Sequence, residues 1–200
     1  MNTTYAKETL PEGYLEAEKI DLVKNKKQML LVNGLALLLA AVMAVIGVAL
    51  QPPRGFHSLI FSIDDAPMAI IIKCAVLLVG LVVYIIGHEA VHGIFMWHYS
   101  HQKPRFGLSF TYAYAGSDIY FAKKPYLVIA LAPLVVWAVV LAVVILLVPA
   151  DWFWIVWFIQ INNVSGAAGD LFVFFHMLRK PEAVLVQDTG TAMTVFLPQQ

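Results

Sequence analysis

The sequence is poor in charge and almost devoid of cysteine. Only 13% of its 200 residues are charged, about half the roughly 25% of an ordinary soluble domain. With 60% hydrophobic residues and a mean hydropathy of +0.77, a water-soluble globular domain is excluded. Disorder is excluded too, because it needs low hydrophobicity and high charge. Thirteen basic and thirteen acidic residues cancel, so no excess of positive charge points to nucleic acid. A single cysteine, Cys74, rules out an internal disulfide and a cysteine-rich zinc site.

What the chain has instead is long apolar runs. A hydrocarbon layer about 30 Å thick is crossed by roughly 20 helical residues, and four segments are long enough. Met29–Leu50 carries no charge. Met68–Gly87 continues through His88-Glu89-Ala90-Val91-His92-Gly93 to Met96. Tyr126–Val148 lies between Pro125 and Pro149, and Trp152–Leu178 contains Asn162, Asn163, Asp170 and His176. Helix is expected because a spanning segment must satisfy its own backbone hydrogen bonds. The fold expected is therefore an all-α polytopic membrane protein. It has four transmembrane helices over residues 29–180, an N-terminal tail (1–28) and a C-terminal tail (181–200).

Basic residues cluster at Lys19–Lys27, Lys103–Lys124 and Arg179-Lys180, which places both termini in the cytoplasm. The polar start is too long for a signal-peptide n-region and reads as the flank of a signal anchor. Trp152, Trp154 and Trp157 read as an interfacial aromatic belt. Between the second and third spans, Phe106, Leu108, Phe110, Tyr112 and Tyr114 alternate with small or polar residues. That alternation predicts a strand. Ala115-Gly116-Ser117-Asp118 would then turn into a second short strand over Ile119–Ala122. A weaker hairpin is expected around Asp188-Thr189-Gly190.

Ionisable residues at membrane depth are candidates for function. His88-Glu89-x-x-His92 places two imidazoles at i and i+4 on one helix face, where both can bind one metal. Glu89 then stands where a general base acts on a water activated by that metal. A catalytic zinc needs a third protein ligand. Asp170 is the first candidate, because His88 lies 20 residues into its span and Asp170 18 into its own. At about 1.5 Å per residue the two depths differ by only about 3 Å. His98 has metzincin spacing from His92 but stands on a continuing helix, and Asp118 lies in the expected turn. Small residues at Ser165–Gly169 would allow the close helix approach that Asp170 needs. Asn162 and Asn163 can hydrogen-bond a substrate carbonyl or oxyanion, or clasp two helices. Phe110, Tyr112 and Tyr114 are candidates for a strand that holds an extended substrate by β-addition.

These residues resemble the site-2 protease class of intramembrane metalloproteases. That class carries HExxH on its first core helix and an Asn-x-x-Pro…Asp-Gly motif on its third. Asn162 precedes Asp170 by eight residues, as in that motif. Ser165 stands where the motif has proline, and Leu171 where it has glycine. More closely, the chain is similar to the small bacterial membrane proteins of the "putative zincin peptidase" family. The resemblance rests on Pro11-Glu12-Gly13-Tyr14, His88–Gly93 and Gly169-Asp170. It implies a zinc peptidase of bacterial origin and supplies no substrate. The residues at membrane depth lead to the further expectation of one zinc per chain, a plasma-membrane location and a membrane-protein or membrane-proximal peptide as substrate. Two other functions are compatible with the same residues. One is a non-catalytic scaffold that binds membrane proteins. The other is a metal or proton transporter, disfavoured because no internal repeat is visible.

Overall fold

The structure is a computed structural model. It describes residues 5–21, 24–51, 66–108, 113–190 and 192–199. Among the described residues five α-helices and seven strands follow one another. They are β1 (Ala6–Lys7), β2 (Tyr14–Ile20), α1 (Lys26–Leu50), α2 (Pro67–Ser100), β3 (Arg105–Leu108), β4 (Ala113–Gly116), β5 (Tyr120–Ala122), α3 (Lys123–Leu147), α4 (Phe153–Gly166), α5 (Ala168–Leu178), β6 (Leu185–Asp188) and β7 (Met193–Pro198).

Helices α1, α2 and α3 are long and apolar enough to cross a membrane. Their outward leucines, isoleucines and valines are exposed. The first two have local reasons to start or stop. Asn25 caps α1, its side-chain oxygen accepting from the Lys27 and Gln28 amides at 3.1 and 3.3 Å. Pro67 opens α2, where its missing N–H costs nothing. His101 closes α2 in the left-handed region, at φ 56°.

The expected all-α fold with four transmembrane helices is not what the chain adopts. The fourth apolar segment is two shorter helices, α4 and α5, which meet at Ala167 (φ −75°, ψ 10°). Gly166 and Gly169 flank the junction and weaken helix continuity there. The segments expected to be tails and loop form a five-stranded antiparallel sheet of order β1-β5-β6-β7-β2. Residues far apart in sequence meet in it: Ala6 pairs with Phe121, and Tyr14 with Pro198.

The hairpin expected after α2 also differs. Phe106–Tyr114 is not one strand, because its two ends lie in β3 and β4, which pair antiparallel with each other. Ala115 and Gly116 extend β4 opposite Phe106 and Arg105 rather than forming the turn. β5 leaves the hairpin for the larger sheet. Phe110 and Tyr112 lie outside the described residues. The C-terminal hairpin forms as β6 and β7.

One face of the sheet covers the ends of α2, α3 and α5. Ile20, Phe121, Val186 and Val195 from the strands bury against Met96, Tyr126, Ile129 and Met177 from the helices. Lys123, at the start of α3, donates to the last carbonyls of α5 and the residues beyond it (Leu178 at 3.1 Å, Lys180 at 2.6 Å).

At the far end Trp152 is half-buried, and the other two tryptophans face inward. Trp154 and Trp157 are buried against α1, with Trp157 Nε1–H donating to the Met43 carbonyl at 2.9 Å. α4 is thus enclosed by α1, α2 and α3, and it carries α5 and Asp170 up to the motif on α2.

Candidate metal centre

Two elements supply the centre. α2 presents His88 and His92 one turn apart. α5 presents Asp170 in its first turn, directly after the Ala167 junction. His88 Nε2 lies 3.1 Å from Asp170 Oδ2, and His92 Nε2 lies 3.4 Å from Asp170 Oδ1. One donor atom from each residue falls within 4.8 Å of the others. Tetrahedral zinc bonds of 2.0–2.1 Å would separate adjacent ligand atoms by about 3.3 Å. The spacing and the donor types, two imidazole nitrogens and a carboxylate, therefore fit zinc with one position left open.

The outer nitrogens of both imidazoles are also engaged. His92 Nδ1 is 2.9 Å from the Ile129 carbonyl on α3. A carbonyl only accepts, so this nitrogen carries the proton and leaves Nε2 free to ligate. His88 Nδ1 is 3.1 Å from the Tyr84 hydroxyl, one turn earlier on α2. Such partners fix ring orientation and ligand basicity in metal centres.

A cavity of about 400 Å³ opens beside these residues. Glu89 and Ala115 of β4 both line it. Apolar side chains of Ile20, Met96, Ile129, Val173 and Met193 form much of the remaining wall. Strand β4 and the β6–β7 turn close it through Ala113, Tyr114, Ala115, Asp188 and Gly190. The hairpin reaches this position because α2 and the turn both offer it glycine. A Cβ at Gly93, next to His92, would strike Phe106 of β3. A Cβ at Gly190 would strike Tyr114, and Gly190 itself has φ +82°.

The sequence-predicted residues divide as follows. His88, Glu89, His92 and Asp170 come together around the cavity. Tyr114 lines it. His98 is exposed near the end of α2, edge-on to Tyr99. Asp118 is exposed and paired with Arg105. Asn163 is fully buried and donates to the Leu134 carbonyl at 3.2 Å, clasping α4 to α3. Asn162 stands one turn before Gly166, which borders the cavity. His176 is held by Glu18 of β2 at 2.8 Å.

Sequence reasoning missed Tyr84, Ile129, Tyr126 and Asp188. Tyr84 stands four residues before His88, so helical spacing could have found it. Asp188 accepts from the Tyr126 hydroxyl at 2.6 Å and from the Gly190 amide at 2.8 Å. Partial burial raises the Asp188 carboxyl above the usual carboxylate range, and those two donors offset only part of the rise.

No curated protein and no solved structure matches the chain. A family model described as putative zincin peptidase matches residues 80–185, a stretch that begins just before the histidine motif, ends in β6 and leaves Pro11–Tyr14 outside. That match takes in more than half of the sequence and every residue of the centre, and the chain belongs to this family.

Proposed function

We propose that the chain is a membrane-embedded zinc peptidase of site-2-protease type that hydrolyses membrane-protein or membrane-proximal peptides. The observation that carries this reading is the meeting of His88, His92 and Asp170 at a cavity that Glu89 also lines. The three apolar helices support a multi-pass location in a lipid bilayer, and the bilayer proposed is a plasma membrane. Strands from both ends of the chain share one sheet, which supports the two termini lying on one side, the cytoplasmic one.

His88, His92 and Asp170 would hold one zinc ion per chain. When bound, zinc supplies Lewis acidity towards a carbonyl and lowers the pKa of water to about 7. Glu89 takes the proton of the attacking water and passes it to the leaving amine. Ala113, Tyr114 and Ala115 of β4 line the cavity beside the three ligands, where an extended peptide could be aligned through main-chain hydrogen bonds. A helical substrate segment must unwind to lie there. The apolar wall favours apolar side chains beside the cleaved bond.

Glu89→Gln tests the reading. It keeps the side chain's size but removes its basicity, so zinc content stays at the wild-type level. Cleavage falls by roughly 10²–10⁴-fold, as for loss of a general base. Profiling of peptide termini in host membranes then finds termini within or beside apolar segments in cells with wild type and not with the variant. Identical termini in both would overturn the assignment.

A further inference from the structure

Pro133 lies in the interior of α3 and is completely buried. Proline is the costliest residue in a helix interior, because it lacks the N–H that bonds to the carbonyl four residues back. That carbonyl belongs to Ile129. The proline ring also presses it away from the helix axis. Ile129 is buried, at 1% exposure, so the released oxygen needs a donor from elsewhere. The donor is His92 Nδ1, 2.9 Å away on α2.

We propose that Pro133 is a positioning residue of the metal centre, acting through the Ile129 carbonyl that it releases to hold His92. This rests on the metal-centre reading above. The two histidines differ in this respect. The hydroxyl of Tyr84 can donate or accept, so it leaves the His88 tautomer open. The Ile129 carbonyl can only accept, so it fixes the proton of His92 on Nδ1 and the ligating lone pair on Nε2, the atom facing Asp170. Any other residue at position 133 would supply an amide that competes for the same oxygen and draws it back into the helix ladder.

The test is Pro133→Ala in the full-length protein purified in detergent, with Pro125→Ala as its partner. Pro125 is the third residue of α3, where an amide has no intrahelical acceptor to lose. Zn²⁺ affinity is measured by competition with a chromophoric chelator, and the thermal midpoint of the metal-free protein is measured alongside. Pro133→Ala is expected to lower affinity about 10–100-fold, the usual effect of losing the partner of a ligating histidine. The metal-free midpoint should not fall, because the helix gains a hydrogen bond. Pro125→Ala should leave affinity unchanged. Wild-type affinity in Pro133→Ala overturns the proposal, as does a loss of affinity accompanied by a lower metal-free midpoint, which marks a merely structural role. A wild type that binds no Zn²⁺ overturns the metal-centre reading itself, and is distinguished from the other outcomes by the wild-type titration alone.

Discussion

Removal of one hydroxyl, in Tyr126→Phe, probes the roof of the cavity. Tyr126 is 2% exposed and donates to Asp188 Oδ2 at 2.6 Å. Phenylalanine keeps the ring, so no large cavity term arises. What is lost is a hydrogen bond to a charged group, worth about 1.5–3 kcal/mol. The Asp188 carboxyl is raised in the fold by partial burial. A raised acid stabilises the fold most below its unfolded pKa of about 3.9, and that contribution is lost as pH rises through the folded value. Removing a donor raises it further, so the cost of Tyr126→Phe grows between about pH 4 and pH 7. Equilibrium unfolding in detergent should show about 2 kcal/mol lost at pH 7 and less at pH 4. In an Asp188→Asn background the same substitution should cost under about 1 kcal/mol, the difference being the coupling of the pair. A cost of less than about 0.5 kcal/mol at pH 7, or an equal cost in both backgrounds, would refute the reasoning.

Other sites offer sharper contrasts. Gly190→Ala meets both a positive φ of 82° and contact with Tyr114 and the Ala115 carbonyl, whereas Gly13 (φ 78°) has open space around it. Gly190→Ala should cost about 2–3 kcal/mol and Gly13→Ala about 1 kcal/mol in the same unfolding assay; equal costs would mean that the hairpin does not rest on the turn. Glu18 accepts from Lys180 at 2.6 Å and from His176 at 2.8 Å. Burial pushes its carboxyl up, but these two partners outweigh it and hold it below its ordinary value. A lowered acid stabilises the fold above its unfolded pKa, and the effect fades as pH falls through the folded value. Glu18→Gln should therefore cost about 1 kcal/mol at pH 7, a cost that shrinks progressively as pH falls below the unfolded value of about 4.3; a pH-independent cost contradicts the ion-pair account.

The parts of this molecule visible in its sequence are those with local causes. The three long helices follow from uninterrupted apolar runs. The pair His88 and His92 follows from helical spacing, and the approach of Asp170 from matched depth. The β6–β7 hairpin follows from the turn at Asp188–Gly190. The large sheet was hidden because its pairings are non-local: β1 meets β5, and β2 meets β7 across nearly the whole chain. Register also shifts in β2 between Glu16 and Glu18, so its alternation is broken. The fourth apolar run looked like a single span because composition does not register one junction at Ala167. Nor did composition separate the two asparagines: Asn163 clasps α3, and Asn162 stands beside Gly166 near the cavity. Ile129 was illegible for a plainer reason, since a backbone carbonyl carries no sequence signature. Only Pro133 hinted that one carbonyl in α3 was free.

The central claim is that His88, His92 and Asp170 together hold a metal. Zinc per chain on detergent-purified wild type, His88→Ala and Asp170→Ala, measured in parallel by elemental analysis after reconstitution and desalting, tests it directly. The account predicts about one zinc per chain in the wild type, as in other three-ligand catalytic sites, and a marked loss in both variants. A wild type without zinc, or an Asp170→Ala variant that retains the full complement, would contradict it.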